Sequence, residues 1–292
     1  VREWILGYAL GVRAIAQSTE VLGTVRGDVD SAVSVIESSD ELLSVLSDAS
    51  YQPADRASLV RDIFAGRVRS ALAVELLAEA VREEVPGDLK HTLRDLPPIF
   101  SSEFQPDKIG FSSTRKRVEG YALARVRLGG DAVDLERCEN DIFAVARTIE
   151  KIGSLRRILS GVGSNALLRS QLVTDLFERR VCQVALELLN FAVQTSRVRD
   201  IVELLDDLVA LLSAERGKTI ADVRSARELS ESAKSSLLDV LQGITARNLE
   251  LRDRVQPDLV AGVVALVGDT LFDVSARRRL EEVRSLVADA VH

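Results

Sequence analysis

The chain has 292 residues, 46% of them apolar and 28% charged, which suits one large core or several small ones and is too apolar for a disordered segment. Its 38 Lys and Arg against 45 Asp and Glu give a net charge of −7 without a long basic run, which disfavours a nucleic-acid partner whose phosphates need neutralising. The longest mainly apolar run, Leu259 to Val267, is broken by Gly262 and falls far short of the roughly 20 residues of a spanning helix, so membrane contact is expected only through a partner.

No secretory signal precedes Trp4, and the two cysteines, Cys138 and Cys182, have neither CxxC nor zinc spacing, so a reducing interior is expected. The sequence contains no Met, so Val1 is either a non-standard start or the edge of a longer chain.

In chain order, the first helical stretch opens with Gly7-Tyr8-Ala9-Leu10. Leu22, Val25, Val29, Ala32 and Ile36 then recur at helical spacing and form one apolar stripe. From Pro86 to Lys116 the periodicity weakens, and Pro97-Pro98, Ser101-Ser102, Pro106 and Ser112-Ser113 cluster. That pattern predicts a linker over 86–116 with room for one short helix.

The tetrapeptide then returns as Gly120-Tyr121-Ala122-Leu123, an offset of 113 residues. Read without gaps at that offset, 18 of the 62 positions from 7 to 68 are identical, among them Asp28/Asp141, Ile36/Ile149, Leu46/Leu159, Arg56/Arg169 and Phe64/Phe177. Composition alone gives about a tenth or less. A duplicated domain is the reading that follows. In the second copy the stripe is Leu135, Cys138, Ile142, Val145, Ile149 and Ile152, with Gly129-Gly130 ending the preceding helix and Asp131 placed to cap the next. Shorter helices are predicted near 154–160, 166–178 and 181–195, followed by a longer one over 198–214.

Beyond Arg216 the pattern changes. Lys218 to Ala226 alternates like a strand, Ser230 caps a helix reaching about Gly243, and Leu249 to Val255 forms a second strand. Val260 to Val267 reads as a buried strand that turns at Gly268-Asp269 into Thr270 to Phe272. A last helix follows, with Ala276, Leu280, Val283 and Val287 on one face. The fold class is therefore mainly α: a first helical bundle over 1–85, the linker over 86–116, a second bundle over 117–216 and a small α/β domain over 217–292.

No set of residues in the sequence converges on catalysis. Gly217-Lys218-Thr219 resembles the end of a P-loop, but the glycine required five residues earlier is Leu212, within a predicted helix, so a helix stop before a strand is the better reading. His91 falls in the linker and His292 at the end, neither placed as a general base. Cys138 lies on the apolar stripe and Cys182 among Val181, Val184 and Ala185, which fits small core residues. Glu203, Asp206 and Asp207 lack a histidine and read as a solvated face. Arg277-Arg278-Arg279 is either a solvated face or a patch for an acidic partner. Trp4 suits a core or an interface anchor. No catalytic residue, cofactor or metal is expected, and the residues by themselves point to a binding or scaffolding protein.

The tail carries a family resemblance. Asp258 through Ser275, with Arg277, Arg279-Leu280 and Arg284, resembles the C-terminal signature of the delta subunit of F-type ATP synthases, the bacterial counterpart of the oligomycin-sensitivity-conferring protein. Arg216-Gly217-Lys218 through Val223, Ser225-Ala226 and Leu229-Ser230 resembles that family's strand and following segment, and Tyr121-Ala122 its first helix. The resemblance covers about 117–287. It departs at Ala261, where Gly is common, and at Val274, where a Gly eases the strand-to-helix turn.

The ordinary family member has one bundle, and this chain, with two, resembles the long actinobacterial form, in some of which a b-type stalk helix is also fused at the N-terminus; if Val1 is a cut edge, that stalk is what is expected to be missing. The resemblance implies a non-catalytic stator subunit, peripheral on the cytoplasmic face of a bacterial membrane. It further implies that the second bundle receives the N-terminal helix of an alpha subunit in a groove between its first and fifth helices, lined by Tyr121, Ala124 and Leu128 on one side and Leu188, Phe191 and Ala192 on the other. For Leu188, closing the bundle core is an equal alternative. The C-terminal domain, through Arg277, Leu280, Val283 and Val287, is implied to meet the b-type stalk, and the first bundle is expected to add a brace against stalk or head. The rival is an unrelated tandem-bundle adaptor in signalling.

Overall fold

The structure, a computed structural model, describes residues 2–104, 114–130, 134–160, 165–195, 201–245, 248–257, 259, 262–267 and 270–273. The chain divides into two compact units, residues 1–209 and 210–292.

In the first unit the sequence stripes become buried helix faces. α1 (Glu3–Ser18), α2 (Leu22–Ser38), α3 (Asp40–Leu46), α4 (Pro53–Phe64) and α5 (Ala71–Glu83) form one bundle. Val25, Val29, Ala32 and Ile36 of α2 are all at most 1% exposed, as the period of the stripe requires. Ser39 caps α3 by accepting from the Leu42 N–H at 3.2 Å, and Pro53 occupies the first turn of α4, where its missing N–H costs nothing. Residues 89–99 form α6 (Leu89–Ile99), which buries Leu89, Leu93, Leu96 and Ile99 against α1, α2 and α5. The Arg13 guanidinium of α1 holds the end of α6, donating to the carbonyls of Ile99 and, at 2.8 Å, Ser101.

The repeat then follows as α7 (Thr114–Leu128), α8 (Leu135–Lys151), α9 (Gly153–Leu159), α10 (Ala166–Phe177) and α11 (Gln183–Thr195), with α12 (Ile201–Glu215) after it. Cys138, Ile142, Val145 and Ile149 of α8 are buried, while Ile152, the last member of the stripe, is 45% exposed just beyond the helix. The cap of α8 is Asp134, whose side chain accepts from the Arg137 N–H at 3.0 Å; Asp131 lies outside the described residues. Asn165 caps α10 in the same way. Packing pairs recur between copies: α4 with α5 and α10 with α11, α1 with α5 and α7 with α11, α2 with α5 and α8 with α11.

Among the described residues the most extensive helix contact joins the copies to each other, α1 against α7. A Cβ placed on Gly7 would lie 1.9 Å from the Arg117 carbonyl oxygen, and one on Gly120 would lie 2.1 Å from that of Trp4. Gly7 and Gly120 occupy the same place in the repeat, as do Trp4 and Arg117, so each contact is the image of the other. One on Gly11 would lie 2.7 Å from the Ala124 Cβ and 2.8 Å from the Tyr121 carbonyl oxygen. Contacts advance along both helices in the same direction, so α1 and α7 run parallel, with Gly7-xxx-Gly11 facing Gly120-xxx-Ala124. Small residues four apart bring two helix backbones together, the arrangement also used where helices pack without bulky side chains. Arg117 and Glu3 pair at 2.6 Å at the same end of the seam, with side chains only 4% and 14% exposed.

The second unit contains β1 (Thr219–Ser225), α13 (Glu231–Thr245), β2 (Leu249–Val255), β3 (Val263–Val267) and β4 (Thr270–Asp273), in the sheet order β2-β1-β3-β4. β1 and β2 are parallel and joined through α13, whereas β3 is antiparallel to β1 and β4. Ser230 caps α13 through the Ala233 N–H at 3.3 Å. Its core is Ala221, Val223, Leu241, Leu249, Ala265 and Val267. The predicted last helix and the Gly268-Asp269 turn lie outside the described residues.

The seam leaves no room for a methyl group at Gly120, whereas a Cβ on Gly27 of α2 meets nothing within 4 Å. Gly120→Ala should therefore destabilise by roughly 1–3 kcal/mol through overpacking. Gly27→Ala should stabilise by up to about 1 kcal/mol through helix propensity. Urea unfolding of both variants checks the opposite signs.

Candidate functional site

α7 and α11 pack against each other and place the six predicted groove residues on two neighbouring helices. Tyr121 is 7% exposed, and its ring stacks on that of Phe191 with centroids 3.8 Å apart and planes 6° from parallel. Burial pushes the Tyr121 hydroxyl up to about 12, so it stays protonated and the pair presents itself as an apolar aromatic stack. Phe191 remains half-buried, as does Leu128 at the end of α7. Ala124, Leu188 and Ala192 are fully buried, and Ala124 turns toward Gly11 of α1. The arrangement thus consists of a partly open aromatic edge backed by a closed layer. Arg277, Leu280, Val283 and Val287, proposed on sequence to meet a stalk, lie outside the described residues.

An ion pair also crosses between these helices. Arg125, one turn after Tyr121, donates from Nη2 to Glu187, one turn before Phe191, and Gln183 donates to the same carboxylate at 3.1 Å. Sequence inspection missed this pair, although both members stand four residues from a predicted groove residue on the same helix. The start of α11 is held by Asp141 of α8, whose carboxylate accepts from the Cys182 N–H at 2.6 Å. Cys182 Sγ accepts from the Ala185 N–H at 3.4 Å, acting as a weak cap. Cys138 is fully buried, and burial pushes its thiol up, away from nucleophilic use.

The other residues weighed for chemistry have structural partners. Lys218 Nζ lies 3.1 Å from Glu250, and Gly217 has a positive φ of 70° in the turn from α12 into β1, with no phosphate-cradling loop before it. His91 is exposed on α6. Among the described residues no group of three or more His, Cys, Asp or Glu side chains is placed to hold a metal ion. Of the Glu203, Asp206 and Asp207 face expected to be solvated, Glu203 is exposed while Asp206 and Asp207 are half-buried. Asp206 pairs with Arg147 of α8, and Arg115 of α7 reaches both Asp207 and, at 3.1 Å, Glu203. Helical spacing alone could not reveal which cations the neighbouring helices would bring to these carboxylates.

Asp207 is half-buried, and one of its oxygens is buried without a hydrogen-bond partner. Its carboxyl is pushed up from 3.8 to about 6, burial outweighing the attraction of Arg115. A carboxyl that binds its proton more tightly when folded adds stability that is complete below its unfolded pKa and is lost as pH rises through the folded one. Here that window runs from about pH 4 to about pH 6. Unfolding free energies of Asp207→Asn should fall less steeply across that window than those of the parent chain, and identical slopes would refute the assignment.

Comparison with known proteins agrees with this architecture. The family model described as ATP synthase delta (OSCP) subunit matches residues 118–287, that is, from α7 into the C-terminal region. The chain is 28% identical over 256 residues to the ATP synthase subunit delta of Corynebacterium urealyticum, covering 88% of this chain and 85% of that one. It is 27% identical over 280 residues to that of Renibacterium salmoninarum, covering 94% and 96%. The ATP synthase subunit delta of Desulforudis audaxviator is 27% identical over 169 residues, which is 93% of its own length and only 58% of this chain. With more than half of its length matched by the family model, the chain belongs to the ATP synthase delta (OSCP) subunit family.

Proposed function

We propose that the chain is a non-catalytic stator component that ties the head of an F-type ATP synthase to its peripheral stalk, and that α7 and α11 receive the N-terminal helix of an alpha subunit. Rotary synthesis requires the head to be held against torque, which calls for a packed, multi-point link and no reactive group. The half-buried Phe191 ring, stacked on a buried tyrosine between two helices of the matched region, carries the reading. An amphipathic helix laid along this edge would cover Phe191 and Leu128 with its own apolar face, while Ala124, Leu188 and Ala192 support the wall from behind. Arg125 and Glu187 stand at the rim, where they would fix orientation more than affinity.

The C-terminal unit is proposed to meet the end of the b-type stalk, with Arg277, Leu280, Val283 and Val287 as the contact face. Among the described residues no helix is long and apolar enough to cross a membrane, which fits attachment through the b-type stalk at the cytoplasmic face of a bacterial membrane.

Calorimetric titration of the whole chain with a synthetic peptide of the alpha-subunit N-terminus tests this reading. Saturable binding is expected, and Phe191→Asp should weaken it by about 2 kcal/mol or more, at least about 30-fold, with the helical circular-dichroism signal unchanged. Absence of binding by the parent chain would overturn the proposal.

A further inference from the structure

The two fifth helices can be aligned through a pair of identical aspartates. Asp28 Oδ2 accepts from the Ser70 N–H, just before α5, at 2.7 Å, and Asp141 Oδ2 accepts from the Cys182 N–H, just before α11, at 2.6 Å. Ser70 therefore corresponds to Cys182, an offset of 112 rather than 113. In this register Ala73/Ala185, Glu75/Glu187, Leu76/Leu188, Leu77/Leu189, Ala80/Ala192 and Val81/Val193 coincide, six identities in nine positions. Phe191 then corresponds to Glu79.

The surroundings of that position differ in kind between the copies. Glu79 is 2% exposed and paired with Arg82 one turn along its own helix, and Arg127 of α7 comes within 3.9 Å of it. Burial pushes its carboxyl up against the pull of both guanidiniums. Tyr8, the image of Tyr121, has no aromatic partner from the fifth helix; its ring stacks on Trp4 of its own helix, centroids 5.6 Å apart. The first copy thus keeps the tyrosine and the leucine-alanine backing of the groove, and replaces the aromatic anchor with a buried ion pair whose third member comes from the second copy.

Resting on the groove reading above, we infer that the first copy does not receive a second helix: Glu79 bars an apolar anchor from the α1–α5 wall, and that copy serves instead as the support on which α7 is mounted. Seating an apolar helix over Glu79 would displace a guanidinium and leave a buried carboxylate short of partners, a cost that apolar contact at one position does not offset. The glycine seam and the Glu3–Arg117 pair bind the same copy to α7, one wall of the remaining groove. Each chain then offers one helix-receiving site.

Titration of the whole chain with a tryptophan-free alpha-subunit N-terminal peptide counts the sites directly. One peptide per chain is expected, with no residual binding in Phe191→Asp. Trp4, the single tryptophan, sits on α1 against Tyr8 and reports on the first copy, so its emission maximum should hold constant at saturation. Two peptides per chain, or a Trp4 emission shift that tracks binding and survives Phe191→Asp, would overturn the exclusion by Glu79 while leaving helix recognition by the second copy intact. No binding to the parent chain would overturn helix recognition by the second copy, and with it the count of one site per chain.

Discussion

The backbone contact between α1 and α7 is the constraint on which the first unit depends. Three glycines in helix interiors each cost about 1 kcal/mol relative to alanine, so local propensity argues against them. They are tolerated because a side chain at Gly7 or Gly120 would collide with a carbonyl oxygen of the other helix. With the side chains absent, the helix surfaces meet at backbone distance and gain dispersion contacts along the whole seam. This joins two copies of one bundle through equivalent residues, so the duplication carries its own mode of assembly.

Around that seam the chain satisfies its buried polar groups with side chains placed by the fold. Arg56 donates to the Leu46 carbonyl at the end of α3, and its image Arg169 donates to the Val193 carbonyl near the end of α11, both at 2.9 Å and both buried. Late helix carbonyls lack intrahelical partners, and a buried one is costly unless a donor reaches it. Asp28 and Asp141 do the converse at helix starts. These identities therefore report obligations of the bundle interior. The differences between copies, Phe191 against Glu79 and Arg117 against Trp4, fall on the fifth helix beside the first and on the α1–α7 seam, where the two copies have different neighbours.

Much of the helical layout was readable in advance. The α8 stripe marked its buried face, the period of two over residues 218–226 marked β1, and the offset of 113 marked the repeat. The proposal of a groove came only through family resemblance, because Tyr121, Leu188 and Ala192 carry no pattern that separates a binding wall from a core. The one-residue slip before α5 hid the equivalence of Glu79 and Phe191, since an ungapped comparison places Glu79 opposite Ala192. Asp206 and Asp207 of α12 looked solvated because the arginines that meet them, Arg147 and Arg115, stand more than 50 residues away in sequence.

By itself the sequence determined the helical class, the duplication and the family, because periodicity, local caps and the tail signature are properties of neighbouring residues. Only the tertiary structure decided that the shared Gly-Tyr-Ala-Leu segments face each other, which carboxylates are paired, and which copy stacks an aromatic ring of its fifth helix on the shared tyrosine. Those outcomes depend on distances between residues many tens of positions apart, and a distance of that kind is set by how whole helices pack rather than by any residue's own preference.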